Sequence, residues 1–179
     1  MKPDTIVLIH GFWVTPLSWE AWKAHYEAQG YRVLTPPYPG FEVGVEALNA
    51  DPTPIERLTV PDIIASFEAV LRELDRPPII MGHSAGGAFA QILLANVQPG
   101  RQDTWVDYRN DSRAPLLFVS GGEDHLMPPA VQRSNVAHYT PNAVTEIREY
   151  PGYAHLLPAQ QGSEGIADEA LAWALEHAR

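Results

Sequence analysis

With 179 residues, 45% of them hydrophobic and 19% charged, the chain is long enough to bury a real core and is expected to form a single domain over residues 1–179. Its net charge of −10 argues against nucleic acid and anionic membrane surfaces as partners. The absence of cysteine excludes thiol catalysis, disulfides and cysteine metal sites, and leaves the compartment open.

The opening "MKPDTIVLIHGFW" has too short an apolar run for a signal peptide, and it has no small-residue cleavage site. No segment approaches the length of a membrane span, so the expectation is a soluble, cytoplasmic protein. "TIVLIHG" (5–11) is a β-branched run ending in glycine, as in a strand buried on both faces of a parallel sheet. "SWEAWKAHYEAQG" (18–30) then reads as a helix, with Ser18 as N-cap and Gly30 as its stop. "YRVLTPPYPG" is a second strand running into a proline-rich loop, and residues 41–58 are expected to be weakly structured.

In "TVPDIIASFEAVLREL", Thr59 and Asp62 are spaced as a capping box, Pro61 lies in the first turn, and Ile63, Ile64, Phe67, Val70, Leu71 and Leu74 form one apolar stripe. "PPIIMGH" is a third strand and "AGGAFAQILLAN" a third helix. Residues 97–114 are again weakly structured, and "TWVDY" within them reads as a linker, because too few residues follow it for a parallel crossover. "APLLFVSGGEDH" is a fourth strand, followed by a helix over 129–139. "VTEIREYPG" is a charged edge strand, and 164–178 is a terminal helix. Strands alternating with helices predict an α/β fold: a three-layer, doubly wound parallel sheet.

The chemistry-bearing residues fall just past the strand ends, where open parallel sheets place their ligands. Ser84 follows strand three in "GHSAGG", Asp124 follows strand four in "GGEDHLMPP", and His155 follows strand five in "PGYAH". A serine hydroxyl becomes a nucleophile when a neutral imidazole takes its proton, and the imidazole needs a carboxylate to fix its tautomer. Gly82 and Gly86 relieve crowding at a strained turn, which leaves the Ala85 N–H at a helix start where a developing oxyanion is stabilised. The Phe12 N–H, held by the His10–Gly11 turn, is the expected second donor. Glu123, Asp103, Asp107 and Asp111 compete with Asp124 for the acid role. Phe12, Trp13, Leu126, Met127, Leu156 and Leu157 flank these positions; Trp13, Leu126, Met127 and Leu156 are the candidate substrate pocket. His10 is expected to shape the oxyanion turn and His83 to point away from the nucleophile. Trp19 and Trp22 read as core.

These motifs, "GHSAGG", "HGFW", "GGEDHLMPP" and "PGYAH", in the order Ser, Asp, His, resemble the α/β-hydrolase superfamily from residue 5 onward. The resemblance implies Ser84 as nucleophile, His155 as base, Asp124 as acid, and the Phe12 and Ala85 amides as oxyanion hole. It also exposes departures. Relatives place another strand and a helical cap between the helix after the nucleophile and the acid's strand, and only about twenty residues stand there in this chain. The first two strands of the full superfamily sheet are absent as well. The remaining five strands are expected in the order 2-1-3-4-5, with the acid's strand moved inward by ~4.8 Å to lie beside the nucleophile's.

The resemblance implies a cofactor-free, metal-free, capless serine esterase that acts on small, accessible acyl esters as a monomer or homodimer. The alternatives are a perhydrolase (haloperoxidase-like) or C–C lyase using the same triad, or a trimmed, non-catalytic scaffold.

Overall fold

Strands and helices alternate through the described residues, 2–95 and 106–178, of the computed structural model. They are β1 (Thr5–Ile9), α1 (Glu20–Ala28), β2 (Arg32–Leu34), α2 (Val45–Ala50), α3 (Val60–Arg72), β3 (Ile79–Gly82), α4 (Ala85–Ala95), β4 (Leu116–Gly121), α5 (Pro129–Ala137), β5 (Thr145–Tyr150) and α6 (Glu164–His177). The reading of residues 97–114 as a linker falls partly outside the described residues; its later part, 106–114, forms no strand. The 41–58 stretch holds more structure than expected, with α2 set between 3-10 turns at Phe41–Val43 and Thr53–Ile55. No helix among the described residues is long and apolar enough to cross a membrane.

Local chemistry sets the helix ends. Thr59 and Asp62 form both halves of the capping box at the start of α3. Ahead of α1, a 3-10 turn over Pro16–Trp19 starts at Thr15 rather than Ser18: the Leu17 amide donates to Thr15 Oγ1, and Ser18 Oγ donates to the Thr15 carbonyl. Pro16 explains the earlier start, since it is preset for helical φ and has no N–H to satisfy. Gly30, at φ +90°, stops α1 as expected.

All strand pairing among the described residues is parallel. β1 is central between β2 and β3, and every residue of β1 is buried. β4 pairs with β5, Leu116 opposite Thr145 through Gly121 opposite Tyr150. The expected contact of β4 with β3 is absent: the order is β2-β1-β3 in one sheet and β4-β5 in another. Between them lies a slot of about 630 Å³, lined by Ile80 and Met81 of β3 and by Leu117 and Val119 of β4.

Helix packing explains why the sheets do not close. On one face, Ile6 and Leu8 of β1 pack with Trp22 and Tyr26 of α1 and with Ile166 and Leu171 of α6, and Val119 and Tyr150 rest on this same cluster. β4 therefore sits on a helix already docked against α1, and helices pack ~8–10 Å apart where paired strands lie ~4.8 Å apart. On the other face, Val7 and Ile9 pack with Phe67 of α3 and Phe89 of α4. α5 covers its own part of β4 and β5, with Tyr139 just beyond it against Phe118 at 6.1 Å.

Candidate active site

β3 runs into Ser84, whose φ of 55° is left-handed, a conformation strained for any side chain larger than glycine. The neighbouring glycines are obligatory. A Cβ on Gly82 would stand 2.1 Å from the Gly86 carbonyl oxygen, and one on Gly86 would stand 2.3 Å from the carbonyl oxygen of Ile9. These approaches press the elbow against the end of β1 and leave Ser84 exposed at the head of α4. Ala85 is the first residue of α4, so its N–H has no intrahelical acceptor.

His155 and Asp124 come from the paired strands β5 and β4, so their relation is set inside one sheet and does not depend on the slot. The close approach of Tyr153 O to Gly121, 2.3 Å from where a Cβ would stand, folds the 151–155 loop over the end of β4. His155 Nδ1–H donates to Asp124 Oδ2 at 2.8 Å, which leaves Nε2 to accept from Ser84 Oγ–H at 2.9 Å. Asp124 is buried, and its Oδ1 accepts the Leu126 and Met127 amides at 2.9 and 2.8 Å. Burial acts to raise the Asp124 carboxyl, but the Met127 amide, His155 and the Leu126 amide outweigh it and hold the group below the usual carboxylate value. Asp124 is thus ionised at neutral pH and oriented along two edges. The arrangement can strip a proton from Ser84 and store it on His155.

One neighbour escaped the sequence reading. His83 points away from the serine hydroxyl but not into solvent: its Nε2–H donates to the His155 carbonyl at 2.7 Å, with the two rings 4.9 Å apart. Its Nδ1 is buried without a partner against Gly11, where a Cβ would stand 3.0 Å away. Burial lowers the His83 pKa below its ordinary value, consistent with a neutral Nε2–H tautomer. The only signal in the sequence was its position beside the serine, which does not specify a partner 72 residues on. His10 lies fully buried in the turn after β1, where the Tyr38 hydroxyl donates to its carbonyl.

Of the other candidates, Glu123 is exposed, and Asp111 accepts from Thr140 and Asn142 away from the histidine. The Asp107 carboxylate accepts the Arg109 amide, and Asp103 lies outside the described residues. Met127 lines the slot; Trp13, Leu126 and Leu156 are not part of its lining and are exposed. Phe12 is half exposed, its ring 5.8 Å from Phe89, and Leu157 is buried in the core. Trp19 and Trp22 are core, at 5.5 Å from one another. Among the described residues, no group of three or more His, Asp or Glu side chains is arranged to hold a metal.

Comparison with known proteins follows the same geometry. No curated protein matches the sequence. Among solved structures, a predicted CIB-like hydrolase from Thermoplasma acidophilum superposes with a TM-score of 0.70 at 21% identity, over 97% of this chain and 86% of that one. A monoacylglycerol lipase from Paleococcus ferrophilus gives 0.69 at 16% identity, over 99% and 96%. A pyrethroid hydrolase from Sphingobium faniae gives 0.65 at 17%, over 93% and 97%. At these identities the likeness establishes the fold. The family described as the alpha/beta hydrolase family matches residues 6–107, from the start of β1 through the elbow and α4, and the chain belongs to that family.

Proposed function

We propose that the chain is a serine carboxylesterase. The observation that carries this reading is the continuous run of hydrogen bonds from Ser84 through His155 to a buried, ionised Asp124, at a strained turn on a helix start. Ser84 Oγ attacks the ester carbonyl as His155 takes its proton. The oxyanion forms against the Ala85 and Phe12 amides, where each donor lowers the barrier by ~3 kcal/mol. His155 then returns the proton to the leaving alcohol, and water releases the acid by the same route. The resemblance in fold to a monoacylglycerol lipase supports an acyl ester as substrate.

The test is hydrolysis of p-nitrophenyl acetate together with labelling by a fluorophosphonate. In Ser84→Ala, kcat/KM is expected to fall by at least about a thousandfold, and wild-type labelling is expected to map to Ser84. Equal turnover by both proteins would sink the proposal.

A further inference from the structure

The slot between the sheets is not an ordinary apolar pocket. Ser84, Asp124 and His155 follow the C-terminal ends of β3, β4 and β5 and meet at one place, so β3 and β4 run in the same direction on either side of it. Among the described residues, neither strand has a ladder partner on the side facing the slot. Each edge therefore offers a row of backbone N–H and C=O groups. The slot's upper end is lined by Ser84, His155 and Met127, and it extends down to Pro77, Pro78 and His177 at the far end of the strands. Trp19, Trp173 and His83 contribute to its lining, with Trp19 Nε1, Trp173 Nε1 and His83 Nδ1 themselves buried and without a hydrogen-bond partner. Their residues are 2%, 5% and 9% exposed.

We propose that this slot is the acyl-binding site of the serine hydrolase described above, and that its acyl group is an extended, amide-bearing chain: the substrate class is a peptidyl or N-acylaminoacyl ester. The inference rests on Ser84 being the nucleophile. A plain alkyl chain in the slot strips water from two strand edges and returns no hydrogen bond to either. An extended peptide satisfies them, because in a parallel sheet alternate residues of a central strand bond the neighbours on either side. Direction fixes which end reacts. A peptide lying parallel to β3 and β4 has its carboxyl end at the strands' C-terminal ends, which brings its terminal carbonyl to Ser84. The Ser84 Oγ–C bond forms as the ester C–O bond breaks, and the hydroxyl proton passes through His155 to the leaving alcohol. Water then yields the free peptide acid.

The experiment compares three p-nitrophenyl esters on the full chain: the acetate, an unbranched alkanoate, and N-acetyl-alanyl-alanyl-alanine of matching extended length. Each ladder hydrogen bond is worth roughly fivefold, so the peptidyl ester is expected to exceed the alkanoate in kcat/KM by at least about tenfold. A depsipeptide in which one amide becomes an ester is expected to lose about fivefold of that advantage. Ala88 is exposed and lines the slot one turn beyond Ser84. Ala88→Trp is expected to narrow the slot and bring the peptidyl ester's kcat/KM down to that of the alkanoate. An alkanoate as good as the peptidyl ester, an indifferent depsipeptide, or an advantage that survives Ala88→Trp would each overturn the proposal. Failure of the wild type to hydrolyse acetate would instead remove the serine-hydrolase reading on which it stands.

Discussion

Replacing His83 tests whether the base is held by its backbone as well as by Asp124. The His83 Nε2–H donates at 2.7 Å to the carbonyl of His155 itself, so its loss frees the loop at the residue proposed as the base. Leucine fills much of the volume but donates nothing; glutamine carries an amide Nε2 donor of similar reach. Leaving the carbonyl unsatisfied costs ~1–2 kcal/mol of stability, toward the low end because His155 is half-buried and water replaces part of the bond. The catalytic effect is larger, since a shift of about 1 Å in a reacting group costs up to ~100-fold. His83→Leu is therefore expected to lower kcat for p-nitrophenyl acetate by about 10- to 100-fold with little change in KM. His83→Gln is expected to stay within roughly threefold of the wild type. Initial-rate kinetics give the split between kcat and KM, and urea unfolding shows that both variants are folded. If folded His83→Leu keeps wild-type kcat, or the two variants fall equally, the carbonyl contact does not position the base.

Two further outcomes follow from buried polar groups. His10 and His83 both have folded pKa values below the usual ~6.5, in each case chiefly through burial, so the unfolded chain binds more protons in the mildly acid range. Their contribution is complete above about pH 6.5 and is lost as pH falls from there toward the folded values; Asp124, already ionised, adds nothing in that window. The urea midpoint should drop between about pH 7.5 and 5, less steeply in His83→Gln, and a midpoint that rises on acidification contradicts this. Arg113 is 3% exposed, donates to the carbonyls of Ala114, Val144 and Ala143 and to the Thr145 hydroxyl, and lies 4.5 Å over the Tyr139 ring. Arg113→Met strands those acceptors at the start of β4 and β5 and is expected to cost ~2–4 kcal/mol, read as a lower urea midpoint at unchanged slope. A loss below about 0.5 kcal/mol would show that water replaces the guanidinium.

How much of the site was legible depended on the range of the forces involved. The elbow was readable because its causes are local: Gly82 and Gly86 are required by contacts under 2.5 Å with Gly86 and Ile9. The Thr59–Asp62 box and the Gly30 stop were readable for the same reason. Ser18 does not cap α1, because a 3-10 turn begun at Thr15 and Pro16 takes up Ser18, and α1 itself starts at Glu20 with no side-chain cap. His83 was passed over because its partner is a backbone carbonyl, which carries no residue identity for a sequence to display. Trp13, Leu126 and Leu156 sit in sequence beside the site, and adjacency alone does not say that their side chains stand exposed while Met127 lines the slot.

The sequence alone determined the alternation of strand and helix, the family, and the three residues placed at strand ends, because periodicity, glycine spacing and capping act over a few residues. It also showed that a strand's worth of chain is missing before β4. Only the tertiary structure decided the consequence. Strand pairing favours closing the gap, but α6 is already docked on α1 where it receives β4, and a helix is about twice as wide as a strand spacing. The gap therefore persists as a slot between two strand edges that have no ladder partner among the described residues, while Asp124 and His155 stay together because β4 and β5 were never separated.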